Sequence, residues 1–167
     1  MAKFPLPQPK DDDERFMLEA LKEAIKAYEE KEVPVGAVLV QEGKILARGH
    51  NQVELLNDAT AHGEMLAMTA GAAKLENWRL NDTTLYTTLE PCVMCLGAAL
   101  LSRVSRIVWA APDKRHGALG SWVNLLDKPH PTHSLTVKGG VLEEASASLM
   151  ITFFRERRAQ EDDEEFE

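Results

Sequence analysis

The first pattern along the chain is a helical one. Between residues 11 and 30, apolar side chains at Met17, Leu21 and Ile25 recur every four positions, with alanines between them. Residues at this spacing lie on one face of an α-helix, so an amphipathic helix is predicted over residues 11–30. Aspartates occupy its first positions, where the helix dipole favours negative charge, and Pro34 marks the end of the segment.

Shorter runs of β-branched and aliphatic residues predict strands. The first two, at residues 37–40 and 44–47, flank Glu42-Gly43 and are typical of a hairpin that turns at this pair. Three further strands are predicted at residues 83–89, 106–111 and 134–138. The chain therefore supplies about five strands, of which the first two are antiparallel.

Three more helices alternate with the later strands, at residues 62–75, 91–102 and 142–158. Pro91 suits the first turn of the second of these helices. A hairpin followed by alternating strands and helices indicates an α/β fold, with a mixed sheet of about five strands and helices on both of its faces. One domain is predicted over residues 1–160. Residues 161–167 hold six acids and no base, so a disordered acidic tail is predicted there.

The amino-acid composition indicates which class of protein the chain belongs to. With 44% hydrophobic and 28% charged residues, the chain has the composition of a soluble globular protein. No apolar run approaches the roughly 20 residues that cross a bilayer, and the first residues lack the apolar segment of an export signal. We therefore expect no membrane partner and a cytoplasmic location.

The net charge of −8 is unusual for a protein that binds nucleic acid. Much of it is concentrated at residues 11–14 and 161–167, and the body between them is close to neutral. A local basic patch could still bind RNA. The basic residues available for phosphate contacts are Arg103, Arg106, Lys114, Arg115, Arg155, Arg157 and Arg158.

The two cysteines, Cys92 and Cys95, lie where a predicted strand gives way to a helix. Residues three apart on a helix share a face, and a helix N-terminus stabilises the thiolate form that binds metal. A thiol–disulfide pair, half of a zinc site and two inert buried thiols all fit this spacing. In a chain without an export signal, metal or redox chemistry is favoured over a structural disulfide.

His62 and Glu64 favour the zinc site. Structural zinc has four protein ligands, whereas catalytic zinc keeps one position open for water. Two cysteines and His62 supply three ligands, and Glu64 is then available as a general acid and base beside the activated water. Residues two apart point about 200° apart around a helix. His62 and Glu64 can therefore converge only if the site lies just beyond the helix start.

A His-x-Glu motif followed by Pro-Cys-x-x-Cys resembles the zinc nucleobase deaminases. The chain further resembles bacterial tRNA adenosine deaminases over about residues 32–158. The segments that carry this resemblance are Glu32-Val33-Pro34-Val35-Gly36-Ala37-Val38, Thr60-Ala61-His62, Thr88-Leu89-Glu90-Pro91-Cys92-Val93-Met94-Cys95, Gly117-Ala118-Leu119-Gly120-Ser121 and Phe153-Phe154-Arg155.

The resemblance implies a three-layer α/β/α cytidine-deaminase-like fold and one Zn²⁺ per chain. His62, Cys92 and Cys95 would be the ligands and Glu64 the proton shuttle. The implied reaction is hydrolytic deamination of adenosine to inosine at the wobble position of a tRNA anticodon. The resemblance also implies a homodimer.

Residues that contact the substrate are carried over by the same resemblance. Asn51 would hydrogen-bond the target nucleoside, and Asp113 the ribose of a neighbouring nucleotide. Val35 and Leu89 would line the base pocket, and Phe154 would touch the anticodon loop. The structural alternatives are a turn residue for Asn51, a loop carboxylate for Asp113, and simple core packing for Val35 and Leu89.

Two departures from the family are visible. Gly63 stands where the family usually has alanine, and the end of the chain is acidic where many relatives are basic. Three other functions also fit parts of the sequence. They are a deaminase of free guanine or cytidine, a zinc-stabilised binding subunit without activity, and a thiol–disulfide protein, which leaves His62 and Glu64 unexplained.

Overall fold

A mixed five-stranded sheet forms the middle layer of the computed structural model, which describes residues 3–164. Its strands are β1 (Gly36–Gln41), β2 (Lys44–His50), β3 (Thr83–Leu89), β4 (Arg106–Ala111) and β5 (Thr136–Lys138). Their order across the sheet is β2-β1-β3-β4-β5. β1 runs antiparallel to β2 and β3, whereas β3, β4 and β5 are parallel.

The helices are α1 (Asp12–Glu29), α2 (Val53–Leu56), α3 (Gly63–Leu75), α4 (Val93–Leu101) and α5 (Glu143–Glu164). α1 and α5 pack against one face of the sheet, and α3 and α4 against the other. This arrangement confirms the predicted three-layer α/β/α fold. In the part of the chain that the structure describes, no helix is long and apolar enough to span a bilayer.

The inner strand β1 contributes to both cores. Ala37 and Leu39 are buried on the face covered by α3, while Val38 and Val40 are buried on the face covered by α1. Successive side chains of a strand point to opposite faces. A strand covered on both faces therefore has the continuous apolar sequence seen here.

The hairpin and strands β3 and β4 formed where the sequence predicted them, whereas β5 begins two residues later than predicted. Glu42 and Gly43 adopt φ of 50° and 71°, which are the left-handed values that a tight two-residue hairpin needs. β3 and β4 have the predicted bounds. The short α2 and a 3-10 helix at Leu125–Asp127 were not predicted, since four-residue and three-residue elements have no usable periodicity.

The predicted position of Pro91 in the first turn of α4 is wrong. The helix begins at Val93, and Cys92 before it is extended, with φ −75° and ψ 173°. The Pro91 carbonyl accepts a hydrogen bond from Ala118 N at 2.9 Å, and Cys92 pairs with Gly117 in an isolated bridge. These contacts to a later loop keep residues 91 and 92 out of the helix.

Helix α5 extends six residues beyond its predicted end at residue 158. Residues 161–164 of the acidic tail are helical, which differs from the disorder predicted for that stretch, and residues 165–167 lie outside the described part of the chain. An ion pair between Arg157 and Glu161, one helical turn apart at 3.6 Å, gives this extension some local support.

Asp13 ties α1 to three strands. Its two carboxylate oxygens each accept a hydrogen bond at 2.8 Å from the Arg106 guanidinium, and they also bind Tyr86 Oη at 2.8 Å and Lys138 Nζ at 2.9 Å. The bidentate Arg106 holds the pKa of Asp13 well below its ordinary value. Lys138 and Tyr86 act in the same direction, and partial burial opposes them.

We predict that Asp13→Asn lowers the free energy of unfolding by about 1–3 kcal/mol at pH 7, because a charged acceptor is lost from a partly buried network. A carboxyl with a lowered native pKa stabilises the fold above its ordinary pKa and loses this contribution as the pH falls toward the native pKa. The difference between wild type and variant should therefore shrink between about pH 5 and pH 3. Urea unfolding at these pH values measures it.

Asp12→Asn is the matched control, because Asp12 shares the same first helical turn but its side chain is 82% exposed. Its effect should stay within about 0.5 kcal/mol. Equal losses from the two variants would show that the helix start, rather than the network around Asp13, carries the stability.

Candidate active site

Three potential metal ligands meet at the starts of two helices. His62 Nδ1 lies 3.7 Å from Cys92 Sγ and 3.5 Å from Cys95 Sγ. Zinc bonds of about 2.3 Å to sulfur and 2.0–2.1 Å to nitrogen, at tetrahedral angles, separate the two kinds of ligand atom by about 3.5 Å. The observed distances therefore match ligands that share one zinc ion.

No fourth ligand joins this group among the described residues. His62, Cys92 and Cys95 form the one cluster of three or more His, Cys, Asp or Glu residues there that could hold a metal ion. A structural zinc site would need a fourth protein ligand, whereas a catalytic site keeps that position open. The cluster has the ligand count of a catalytic site.

The backbone explains how His62 and Glu64 reach the same point. His62 is the N-cap of α3 and is extended, with φ −76° and ψ 148°, so it does not follow helical periodicity. Glu64 lies in the first turn of that helix. The site therefore lies just beyond the helix start, as the sequence required. Cys92 has the equivalent N-cap position on α4.

Protons are shared unequally between the two sulfurs. A hydrogen bond from Cys95 and the adjacent His62 imidazole lower the pKa of Cys92 to about 3, against the effect of partial burial. The hydrogen bond to Cys92 and burial raise the pKa of Cys95. The contact with Cys92 raises the pKa of His62. A thiolate beside an imidazole and a second thiol is a donor set that suits zinc.

Glu64 is buried, with 3% of its surface exposed. Its Oε2 is the one buried side-chain nitrogen or oxygen without a hydrogen-bond partner among the described residues. Burial raises the pKa of this carboxyl. An unsatisfied buried carboxylate oxygen is costly and points to a functional role. With three ligands beside it and no fourth, the residues present fit a catalytic zinc ion.

Asn51 lies against the same helix start. Its Oδ1 accepts a hydrogen bond from Gly63 N at 2.8 Å, which satisfies one of the free N–H groups at the beginning of α3. Its own N–H donates to Val35 O at 3.0 Å. The side-chain oxygen is thus used by the fold, and the amide Nδ2 is the atom that could donate to a ligand. The predicted role in binding the nucleoside stays a prediction.

Asp113 begins a turn that lies beside Cys92. Its Oδ1 accepts hydrogen bonds from Arg115 N at 3.0 Å and His116 N at 3.2 Å. The carboxylate therefore organises this loop, as the structural alternative supposed. Contact with a ribose through its second oxygen stays a prediction.

The other predicted contact residues differ in exposure. Val35 is buried at 4%, Leu89 is half-buried at the end of β3, and Phe154 on α5 is 37% exposed. Phe154 packs edge-on against the buried Phe153, with ring centroids 5.2 Å apart. Arg106, one of the basic residues considered for phosphate contacts, is instead paired with Asp13.

Two buried glutamates that the sequence analysis did not single out hold the loops around the site. Glu32 accepts hydrogen bonds from Glu54 N at 3.2 Å and Leu55 N at 2.8 Å, at the start of α2. Glu90 accepts hydrogen bonds from Asp113 N at 3.4 Å and Leu119 N at 3.0 Å, in the loop that begins at Asp113. Each glutamate stands one or two residues before a proline in an apolar segment, which is a weak signal that could have drawn attention to them.

Comparison with known proteins agrees with this geometry. Residues 10–111 match the cytidine and deoxycytidylate deaminase zinc-binding region. The chain is 49% identical to a tRNA-specific adenosine deaminase from Bacillus subtilis, over 87% of this chain and 91% of that protein. It is 52% identical to a chloroplastic tRNA(adenine(34)) deaminase from Arabidopsis thaliana, over 87% of this chain but 12% of that much longer protein.

A solved structure of a tRNA:A34 deaminase, from work on A-to-I editing at the wobble position of transfer RNA, is also similar. It shares 41% identity with a TM-score of 0.78, and the match covers 81% of this chain and 98% of that chain. The family match over residues 10–111 includes strands β1 to β4 and both helix starts at the site, and β5 lies beyond it.

We predict that the protein purified under reducing conditions carries about one zinc per chain. Cys92→Ser and His62→Ala should lose the metal, because each removes one of three ligands. Glu64→Gln should keep it, because Glu64 lies outside the ligand set. Elemental analysis of the three variants checks this. Full zinc content in Cys92→Ser, or its loss in Glu64→Gln, would contradict the assignment.

Proposed function

The chain belongs to the cytidine and deoxycytidylate deaminase zinc-binding family, in the branch of the tRNA-specific adenosine deaminases, and we propose on this basis that it converts the wobble adenosine of a tRNA anticodon to inosine. The observation that carries the proposal is the three-ligand cluster with the buried, unpaired Glu64 carboxylate beside it. A zinc-stabilised binding subunit would not need such a carboxylate.

In the proposed reaction, adenosine and water give inosine and ammonia. Zinc held by His62, Cys92 and Cys95 would supply the Lewis acidity that makes water reactive at neutral pH. Glu64 Oε2 takes a proton from the attacking water and delivers it to N1 of the adenine ring. The same carboxylate then takes the proton of the new hydroxyl at C6 and delivers it to the amino group, so the C6–N bond breaks, ammonia leaves and the C6 carbonyl of inosine forms. Burial of Glu64 keeps competing solvent away from these transfers.

The substrate-contact residues enter as part of the proposal. Asn51 Nδ2 donates to the target nucleoside, since its Oδ1 is held by Gly63 N. Val35 and Leu89 form apolar walls for the base, and Asp113 contacts the sugar of a neighbouring nucleotide. Phe154 offers an exposed aromatic ring on which an anticodon base can stack.

RNA is proposed as the substrate rather than a free base because of the family branch and because the site is buried. An adenosine must unstack to enter a buried site, and unstacking costs little free energy in an unpaired anticodon loop. The remaining basic residues on α5, Arg155, Arg157 and Arg158, lie close in sequence to Phe154. They support phosphate contacts near the exposed ring.

We predict that the zinc-loaded protein forms inosine in an anticodon stem-loop with a wobble adenosine. Glu64→Gln should lower kcat by about 10²–10⁴-fold, as expected for loss of a general acid and base, with its zinc content unchanged. Liquid chromatography of nucleosides from the digested RNA measures the product. Turnover of free guanine or cytidine, with no inosine in the stem-loop, would reject the RNA substrate in favour of a free base or nucleoside.

A homodimer is part of the proposal. Exposed apolar side chains lie on α2, at the start of α4 and after residue 121. They are Leu55, Leu56, Val93, Trp122, Val123 and Leu125. An apolar surface of this kind next to a functional site is typical of a protein interface. A cytoplasmic location is also proposed, supported by two cysteines that are free rather than disulfide-bonded.

We predict a mass of about two chains in analytical ultracentrifugation at micromolar concentration. Trp122→Ser should shift the protein toward the monomer, because it removes a large apolar contact beside the site. Trp78→Ser is the control, since Trp78 is similarly exposed, at 54% against 59%, but follows the far end of α3. Monomeric wild type, or equal effects of the two variants, would contradict the proposed interface.

A further inference from the structure

The loop at residues 113–121 is attached to the backbone just before the first residue of α4. Ala118 N donates to Pro91 O at 2.9 Å, and Gly117 pairs with Cys92 in an isolated bridge. Gly117 N also donates to Asp113 O at 2.8 Å, which closes the first turn of the loop. The loop is therefore one wall of the site, and its position depends on contacts with residues 90–92.

Glu90 is the centre of these contacts. Its side chain is buried, with 3% of the residue exposed. Oε2 accepts hydrogen bonds from Leu119 N at 3.0 Å and Ser121 N at 3.3 Å, and Oε1 accepts from Asp113 N at 3.4 Å and from Ser121 Oγ. All four donors belong to the 113–121 loop. A buried carboxylate thus replaces the internal hydrogen bonds that this irregular segment lacks.

Gly117 makes room for the carboxylate. A Cβ at this position would overlap Glu90 Oε2 and Cδ and would lie 2.5 Å from Asp113 O. The loop can close around the glutamate only with glycine here. Glu90 and Gly117 therefore act as a pair, although 26 residues separate them and no periodic pattern links them.

We propose that Glu90 is a positioning residue for substrate binding, acting through the 113–121 loop and its Asp113. The inference rests on the proposed function for its substrate. Among the described residues, no hydrogen bond joins the Glu90 side chain to Glu64 or to the ligand atoms of His62, Cys92 and Cys95. It sets the distance between the loop wall and the base pocket. Its loss should therefore weaken RNA binding while zinc content and proton transfer stay intact.

The test compares Glu90→Gln with wild type on the same anticodon stem-loop. The amide is nearly isosteric but directs an NH₂ group at loop N–H donors, so the loop should loosen. The KM for the stem-loop should rise by about tenfold or more, since small misplacements of binding groups have large effects, and kcat should stay within about threefold. Zinc content should remain that of wild type.

A second measurement does not depend on turnover. In the Glu64→Gln background, adding Glu90→Gln should raise the Kd for the stem-loop about as much as it raises KM. Hydrogen exchange should quicken at the amides of Leu119 and Ser121, whose acceptor is the altered group. An unchanged Kd together with unchanged exchange would overturn the inference.

Two further variants make the interpretation specific. Gly117→Ala displaces the same carboxylate from the other side, so as a single substitution it should also raise KM. Combined with Glu90→Gln, it should raise KM little further. Asp13→Asn disrupts a different, partly buried carboxylate network, tied to the first residue of β4, and should leave KM unchanged. Additive effects of the first pair, an equal rise in KM from Asp13→Asn, or loss of zinc from Glu90→Gln would each overturn the inference.

The two proposals fail in different ways. Absence of inosine with wild-type protein would reject the wobble-adenosine activity, while the hydrogen-exchange result still decides whether Glu90 holds the loop. Inosine formation with equal KM values for wild type and Glu90→Gln would leave the activity standing and reject the positioning role.

Discussion

The site depends on the meeting of two helix starts at one end of the sheet. His62 caps α3 and Cys92 caps α4, and both residues are extended rather than helical. This brings an imidazole nitrogen within 3.7 Å and 3.5 Å of two sulfurs. Helix N-termini favour thiolates, so the fold prepares the sulfur of Cys92, whose pKa is lowered, for a cation. If either helix began one residue earlier or later, its ligand would point elsewhere.

Three buried glutamates lie around this point, and they differ in whether their carboxylate oxygens have hydrogen-bond partners. Glu32 and Glu90 are satisfied by backbone N–H groups of the loops they hold. Glu64 has an oxygen with no partner among the described residues. A satisfied buried carboxylate rigidifies a structure, whereas an unsatisfied one costs stability. The first two therefore support the walls of the site, and the third is left free for chemistry.

Much of the fold followed from local sequence patterns. Glu42-Gly43 predicted the hairpin, and the strands at residues 83–89 and 106–111 have their predicted bounds. The candidate ligands were recognisable because their residue types and spacing are characteristic of a metal site. The start of α4 was misplaced because Pro91 and Cys92 are held extended by residues 117 and 118. The loop contacts of Glu90 could not be predicted, since their donors lie 23 to 31 residues away without a repeating pattern.

The central claim is that one metal ion is bound by three protein ligands and keeps a position open. X-ray absorption at the zinc edge of the purified protein tests it most directly. The account predicts two sulfur neighbours at about 2.3 Å and two lighter ones at about 2.0–2.1 Å, of which a single one shows the outer-shell scattering of an imidazole. A second imidazole, four sulfurs, or protein without zinc would contradict it.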